Sequence, residues 1–167
     1  MSTRVVIATL VLMLLPCCGG EDVNGVAAPP GLAIGRGGAR LHGQNPLQGA
    51  GWFGGDEVRP YHHGKRRLAI LFFDPGDATS SRTAALLVSL SREHEDLGVV
   101  GATRATDLDA IRAFQQEAGA GWPVVYGYGT VTREAYDVGQ VPSIRVLDKR
   151  GEVIGRDVIS LRAMLLD

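Results

Sequence analysis

Cysteine is nearly missing from this chain, and where the two copies sit matters more than their number. Cys17 and Cys18 stand side by side near the start, and residues 19–167 contain none. Neighbouring cysteines rarely bridge, because their side chains diverge in extended chain and the small ring is strained. The body therefore has no disulfide framework, no thiolate metal site and no thiol nucleophile. An excess of charge of one sign is absent too. Seventeen basic residues face 18 acidic ones for a net charge of −1, so nothing supplies the concentrated basic face that a phosphate backbone needs, and no nucleic-acid partner is expected. The one basic run, Lys65-Arg66-Arg67, reads as the solvated entry to a strand. Ligand-spaced histidines are lacking as well. His62 and His63 would point to opposite sides of an extended chain, and His42 and His94 stand alone, so the four read as surface residues and no metal or other cofactor is expected.

What is present begins with an address. Met1-Ser2-Thr3-Arg4 is short and positively charged, and Val5 to Leu15 is an apolar run broken by one Thr. Pro16-Cys17-Cys18-Gly19-Gly20 follows, completing the three-part layout of a secretory signal. The run is shorter than the about 20 apolar residues that span a membrane. A cysteine directly after it resembles the lipobox of bacterial lipoproteins. Because a small residue usually precedes the lipidated position, Cys18 is favoured over Cys17. The expectation is an exported protein at the cell envelope, membrane-anchored as a lipoprotein, with residues 1–18 as signal.

Residues 19–45 read as a Gly-rich flexible tether. Roughly half of the 23 glycines fall between Gly19 and Gly55, and such composition buries too little apolar surface to offset the ordering entropy of the backbone. The folded domain is placed at 46–167 with its core at 60–167, and a small strand or hairpin is expected within 46–59.

From Tyr61 onward the pattern is that of an α/β domain. Leu68 to Phe73 is a continuous apolar run that reads as a strand buried on both faces. Thr79-Ser80-Ser81 offers a cap for a helix running to about Leu97. Gly98–Ala102 reads as a strand, Asp107 caps a helix to about Glu117, Pro123–Tyr126 is a strand, and Thr132–Tyr136 is a turn or two of helix. Ser143–Leu147 alternates like an edge or half-buried strand. Asp148–Gly151 turns it into Glu152–Ile154, and Ser160–Leu166 closes as a helix. Alternating strands and helices imply a mainly parallel sheet flanked by helices, to which the hairpin adds an antiparallel piece. Trp52, Phe53, Trp122, Tyr126 and Tyr128 read as packing residues, with Tyr126 to Gly129 offered as one wall of a groove.

Two segments carry a family likeness. Phe72-Phe73-Asp74-Pro75-Gly76-Asp77-Ala78-Thr79-Ser80-Ser81-Arg82-Thr83 resembles the active-site loop of the peroxiredoxins (alkyl hydroperoxide reductase/thiol-specific antioxidant family), Pro-x-x-x-Thr-x-x-Cys. Pro75 and Thr79 hold their positions there, and Arg82 stands where the cysteine belongs. In the Cys-x-x-Cys register of the thioredoxins, Asp77 and Ser80 replace the two cysteines instead. The second segment, Ala135 to Ile154 with Val141-Pro142-Ser143 inside it, is similar to membrane-anchored thioredoxin-like disulfide reductases, and Trp122-Pro123-Val124-Val125 fits the strand before it. The likeness spans about residues 60–167. It implies a thioredoxin-like fold with a central mixed sheet, flanking helices and a C-terminal hairpin plus helix. It also implies a cis Val141-Pro142 bond facing the active-site loop, and a groove there in which Val141 and Pro142 receive a protein or peptide partner. Arg82 with the helix N–H groups is a candidate anion or carboxylate site, though a solvent-exposed arginine one turn into the helix is the favoured reading.

Both families act through a thiolate at a helix N-terminus. Asp77 does not attack a disulfide productively, and Arg82 has no lone pair to offer. Ser80 and Ser81 lack a neighbouring general base, so helix capping is their expected role and hydrolase chemistry a distant one. The expectation is therefore a site with no intact catalytic residue. The chain reads as a non-catalytic binding or structural module; the alternative is a thiol-dependent oxidoreductase or antioxidant working with a cysteine-bearing partner.

Overall fold

The computed structural model describes residues 45–60 and 63–166. The expected signal, the tether, the lipidation site at Cys18 or Cys17, His42 and His62 all lie outside the described residues. Ten elements follow one another: β1 (Gly51–Phe53), β2 (Arg67–Phe73), α1 (Ala78–Glu93), β3 (Leu97–Thr103), α2 (Leu108–Ala118), β4 (Val124–Tyr126), α3 (Thr130–Ala135), β5 (Ser143–Asp148), β6 (Val153–Gly155) and α4 (Val158–Leu165). No helix among the described residues is long and apolar enough to cross a membrane.

The six strands form one mixed sheet in the order β1-β4-β3-β2-β5-β6. β2, β3 and β4 are parallel, while β1, β5 and β6 pair antiparallel to their neighbours. Two successive crossovers step the same way across the sheet, and right-handed connections then put both helices on one face. Side chains of α1 (Ala84, Leu87), α2 (Ile111, Phe114) and α4 (Leu161) accordingly share a cluster with Ala69, Leu71 and Phe73 of β2. Phe73 and Phe114 stack there with centroids 4.2 Å apart. The chain returns from β4 to β5 over the other face, where Leu47, Tyr136 and Val138 pack against Leu68, Ile70 and Phe72. Every residue of β2 is buried, as an apolar run covered on both faces requires.

Several element bounds differ from the sequence expectation for identifiable reasons. α1 ends at Glu93 rather than near Leu97, because Leu97 is drawn into β3 opposite Arg67. Its cap is Asp77, not Thr79, Ser80 or Ser81: the Asp77 carboxylate accepts the Ser80 N–H. β5 is neither an edge nor half-buried. It lies between β2 and β6, and Ile144–Leu147 are buried. Its alternation includes an arginine, Arg145, that is buried rather than solvent-facing. The expected small strand within 46–59 is β1, which extends the sheet beside β4.

The segment before β1 is fastened by Thr132 of α3. The fully buried Thr132 hydroxyl accepts the Gln48 N–H (2.9 Å) and shares its proton between the carbonyls of Pro46 (2.8 Å) and Gln48 (2.9 Å). Leu47, 1% exposed, is pressed into the core between those contacts.

Candidate functional site

In open α/β sheets, chemistry gathers beyond the carboxyl ends of the parallel strands. Here β2 ends at Phe73 and feeds the loop into α1, while the antiparallel β5 begins at Ser143, directly opposite Phe72. That register brings Asp74–Ser80 and Val141–Ser143 to the same end of the sheet. The Val141-Pro142 peptide bond is cis, as the family likeness implies. Val141 is 38% exposed, and Pro142 is partly buried.

The first turn of α1 is closed upon itself. The Ser80 hydroxyl, fully buried, donates to Asp77 Oδ2 at 2.9 Å and accepts the Asp74 N–H at 3.3 Å. The Ser80 N–H donates to the same carboxylate oxygen at 2.8 Å. Asp74 Oδ1 accepts the Gly76 N–H at 3.0 Å, which tightens the turn before the helix. The Asp77 carboxyl titrates below its ordinary value. The Ser80 N–H is the largest cause and the Ser80 hydroxyl the next; Thr79 N–H and Arg82 add smaller contributions against a slight desolvation. An anion is therefore already seated at the α1 N-terminus, and it belongs to the chain.

The same device recurs elsewhere in the molecule. At α4, Asp157 accepts the Ser160 N–H at 2.7 Å and the Ser160 hydroxyl at 2.7 Å. The Asp157 carboxyl is lowered first by the Ser160 N–H and then by its hydroxyl. At both α1 and α4 an Asp carboxylate thus takes the amide and hydroxyl of a serine three residues on, satisfying an amide the helix leaves unpaired; only at α4 does the serine hydroxyl accept the N-cap amide in return. Asp77 and Ser80 follow the pattern of a cap.

The peroxiredoxin register places its residues less well. Arg82 is exposed, and its Nε donates back to the Ala78 carbonyl at 3.3 Å rather than to Asp74 or Asp77. Position 82 lies beyond the first turn, where the helix field has faded. Thr79 is exposed, and its carbonyl accepts the Thr83 hydroxyl; Pro75 is partly buried in the loop. Ser81 reaches Glu117 Oε2 at 3.5 Å. His63 lies at the opposite pole of the sheet: Nε2 donates to the Asp148 carbonyl at 3.2 Å while Nδ1 accepts the Lys65 N–H, which fixes the Nε2–H tautomer. The hydroxyl partners of Ser80 and Ser81 are thus the carboxylates of Asp77 and Glu117 and not a histidine, and the described residues hold no His/Cys/Asp/Glu group fit for a metal ion.

Tyr126 and Tyr128 do not share a groove wall, contrary to expectation. Tyr126 packs with the α1/α2 cluster and Tyr128 with the opposite one, edge-on to Phe72 at 5.6 Å, because β4 ends at Tyr126 and Gly127, φ +63°, breaks the alternation that would have put them on one face. Burial pushes the Tyr128 phenol up, with Arg104 and Arg133 pulling the other way.

Sequence reasoning missed the residues that hold the 136–142 segment. Tyr136, Asp137 and Val138 close α3 as a Schellman motif: Asp137 N–H donates to Glu134 O and Val138 N–H to Arg133 O, with Asp137 in the left-handed region at φ +51°. Arg145 Nε donates to Tyr136 O at 2.6 Å, and Nη2 to Asp137 O. A polar residue within an apolar alternation was the one signal, and it reads as a solvent-facing position until the strand is known to be internal.

No protein-family model matches the chain, and no curated protein does. Solved structures do. A thiol-disulfide oxidoreductase from Bacteroides fragilis superposes with a TM-score of 0.58 at 19% identity, covering 71% of this chain and 98% of that one. The thioredoxin domain of a thiol-disulfide oxidoreductase from Bacteroides vulgatus gives 0.58 at 13% identity, with 71% and 96% covered. A thioredoxin-like protein from Aeropyrum pernix gives 0.57 at 16% identity, with 67% and 83% covered. At such identities the likeness is one of fold.

Proposed function

We propose, from the premise that this chain has the thioredoxin-like fold, that it is an exported, non-catalytic member of that fold which binds a protein or peptide partner at the cell envelope. One observation carries the reading: Asp77 and Ser80, in the positions of a Cys-x-x-Cys pair, form an Asp-x-x-Ser cap whose carboxylate contacts recur at the start of α4. Redox exchange needs a thiolate with a second thiol in reach, and residues 19–167 contain neither. The partner surface is the loop ending in Val141 and Pro142, where the exposed Val141 side chain and neighbouring main-chain groups are offered to an incoming segment. Export rests on the signal-like start, and lipid anchoring on Cys18 or Cys17.

A second reading draws on the similar structures, several of which are thiol-disulfide oxidoreductases. In it the chain serves the same chemistry through a cysteine-bearing partner. Insulin-disulfide reduction separates the possibilities. The native protein with dithiothreitol is expected to match the dithiothreitol blank, and turnover above the blank would sink the non-catalytic reading. The double variant Asp77→Cys/Ser80→Cys is expected to gain reductase activity, whereas Arg82→Cys is expected to gain none.

A further inference from the structure

Three arginines, one in β5, one in α3 and one just after β6, converge on three consecutive residues. Arg145 of β5 donates to the carbonyls of Tyr136 and Asp137, Arg133 of α3 donates through Nε to the carbonyl of Val138 at 3.1 Å, and Arg156, just after β6, pairs with the Asp137 carboxylate at 2.6 Å. The turn so held is the one that leads from α3 into the exposed Gly139-Gln140-Val141 stretch. Arg145 differs from the other two in being buried, 6% exposed, inside the sheet layer. Its third bond, from Nη1, goes to the Ile144 carbonyl at 2.8 Å. A buried cation whose hydrogen bonds end on carbonyl oxygens is a costly choice where a leucine would fill the space. What it supplies is geometry: a planar fork aimed at several acceptors at once, which the single ammonium of lysine does not reproduce.

We propose that Arg145 is a positioning residue for the partner-binding loop: it clamps the main-chain carbonyls of Tyr136 and Asp137 and so fixes the platform from which residues 139–142 project. The use of that platform rests on the binding reading above; the clamp itself does not. A segment fixed before binding loses less freedom when a partner arrives. Asp137, held in the left-handed region without being glycine, fits a turn whose shape is set from outside.

Hydrogen–deuterium exchange on the full chain tests the clamp without any partner. The amides of Tyr136, Asp137 and Val138 are all hydrogen-bonded within the α3 terminus, so their exchange reports its opening. Arg145→Lys is expected to speed exchange of these amides about tenfold while β2 and β3 stay as protected as in the native chain. Asp137→Gly, which keeps the left-handed backbone and the carbonyl that Arg145 clamps while removing the carboxylate that pairs with Arg156, is expected to leave their protection within about twofold. Unchanged exchange in Arg145→Lys overturns the proposal, as does acceleration spread equally over β2 and β3. Loss in Asp137→Gly equal to that in Arg145→Lys also overturns it, because the lock would then be the ion pair. Should Arg145→Lys not fold, Arg133→Gln at an exposed position removes the neighbouring carbonyl contact. It is expected to speed the same amides about threefold, and no change there overturns the proposal. An insulin-active native protein would end the binding reading and leave this result standing.

Discussion

The carboxylate of Asp77 decides what the α1 N-terminus is able to do. An external anion would have to displace a side chain already tied to the helix by Ser80, and Arg82 donates back to the Ala78 carbonyl, so the two make no open anion site there. Because the folded carboxyls of Asp77 and Asp157 both titrate below the ordinary value of 3.8, their capping contributes fully above that pH and is lost as pH falls through the lowered folded values. Urea unfolding followed from pH 7 to pH 2.5 should show midpoints that are flat above about pH 4.5 and fall below it. In Asp77→Asn the acid part of that fall should be shallower, with a lower midpoint at pH 7. Equal acid slopes in the two proteins would disprove the assignment. Of the residues at this scale, Asp77, Ser80 and Pro142 were legible as positions because motif spacing survives substitution. Arg145 and Asp137 were not, since periodicity marks only which side chains are apolar and says nothing of which carbonyls lack a partner.

Among the elements, β2 was readable almost to the residue, because burial on both faces leaves an unbroken apolar run. β5 was not, for its alternation reports one polar face without telling that the face is covered by Tyr136 and the turn after α3. The end of α1 was misjudged by four residues, because Leu97 continues the apolar pattern of the helix while its backbone pairs in β3. Two predictions belong here. At Gly101 a Cβ would lie 2.9 Å from Val124 Cγ2 and 3.0 Å from Phe73 Cε1. Gly101→Ala should therefore cost about 1–3 kcal/mol by overpacking, read from urea unfolding. Thr132→Val keeps the shape but strips Gln48 N–H and the Pro46 carbonyl of their partner, at a cost of about 1–3 kcal/mol. That loss should be accompanied by faster proteolysis within residues 45–53, and a variant with native proteolysis would show that the hydroxyl does not fasten the strand.

For the molecule as a whole, the absence of cysteine beyond Cys18 has a direct consequence. Unfolding midpoints of the native protein in the presence and absence of dithiothreitol should coincide, and a reductant-dependent shift would reveal a bond that the folded domain is not built to contain. The sheet is bounded on one side by β1 and on the other by the three residues of β6, a short edge of the kind that limits pairing with a stranger. The apolar side chains of Ile154 and Ile159 nonetheless stand exposed near that second edge.

The order of contacts along the entering chain also gives the domain a mechanical character. Tension applied upstream of Asn45 meets the Asn45 side-chain bonds to Glu57 and Val58, then Leu47 and the Thr132 hydroxyl, before it reaches the hydrogen bonds of β1 with β4. Those first contacts are few and lie one after another, so they would yield in sequence, like a fastener opened from its end, rather than together. The six-stranded sheet behind them would feel the load last.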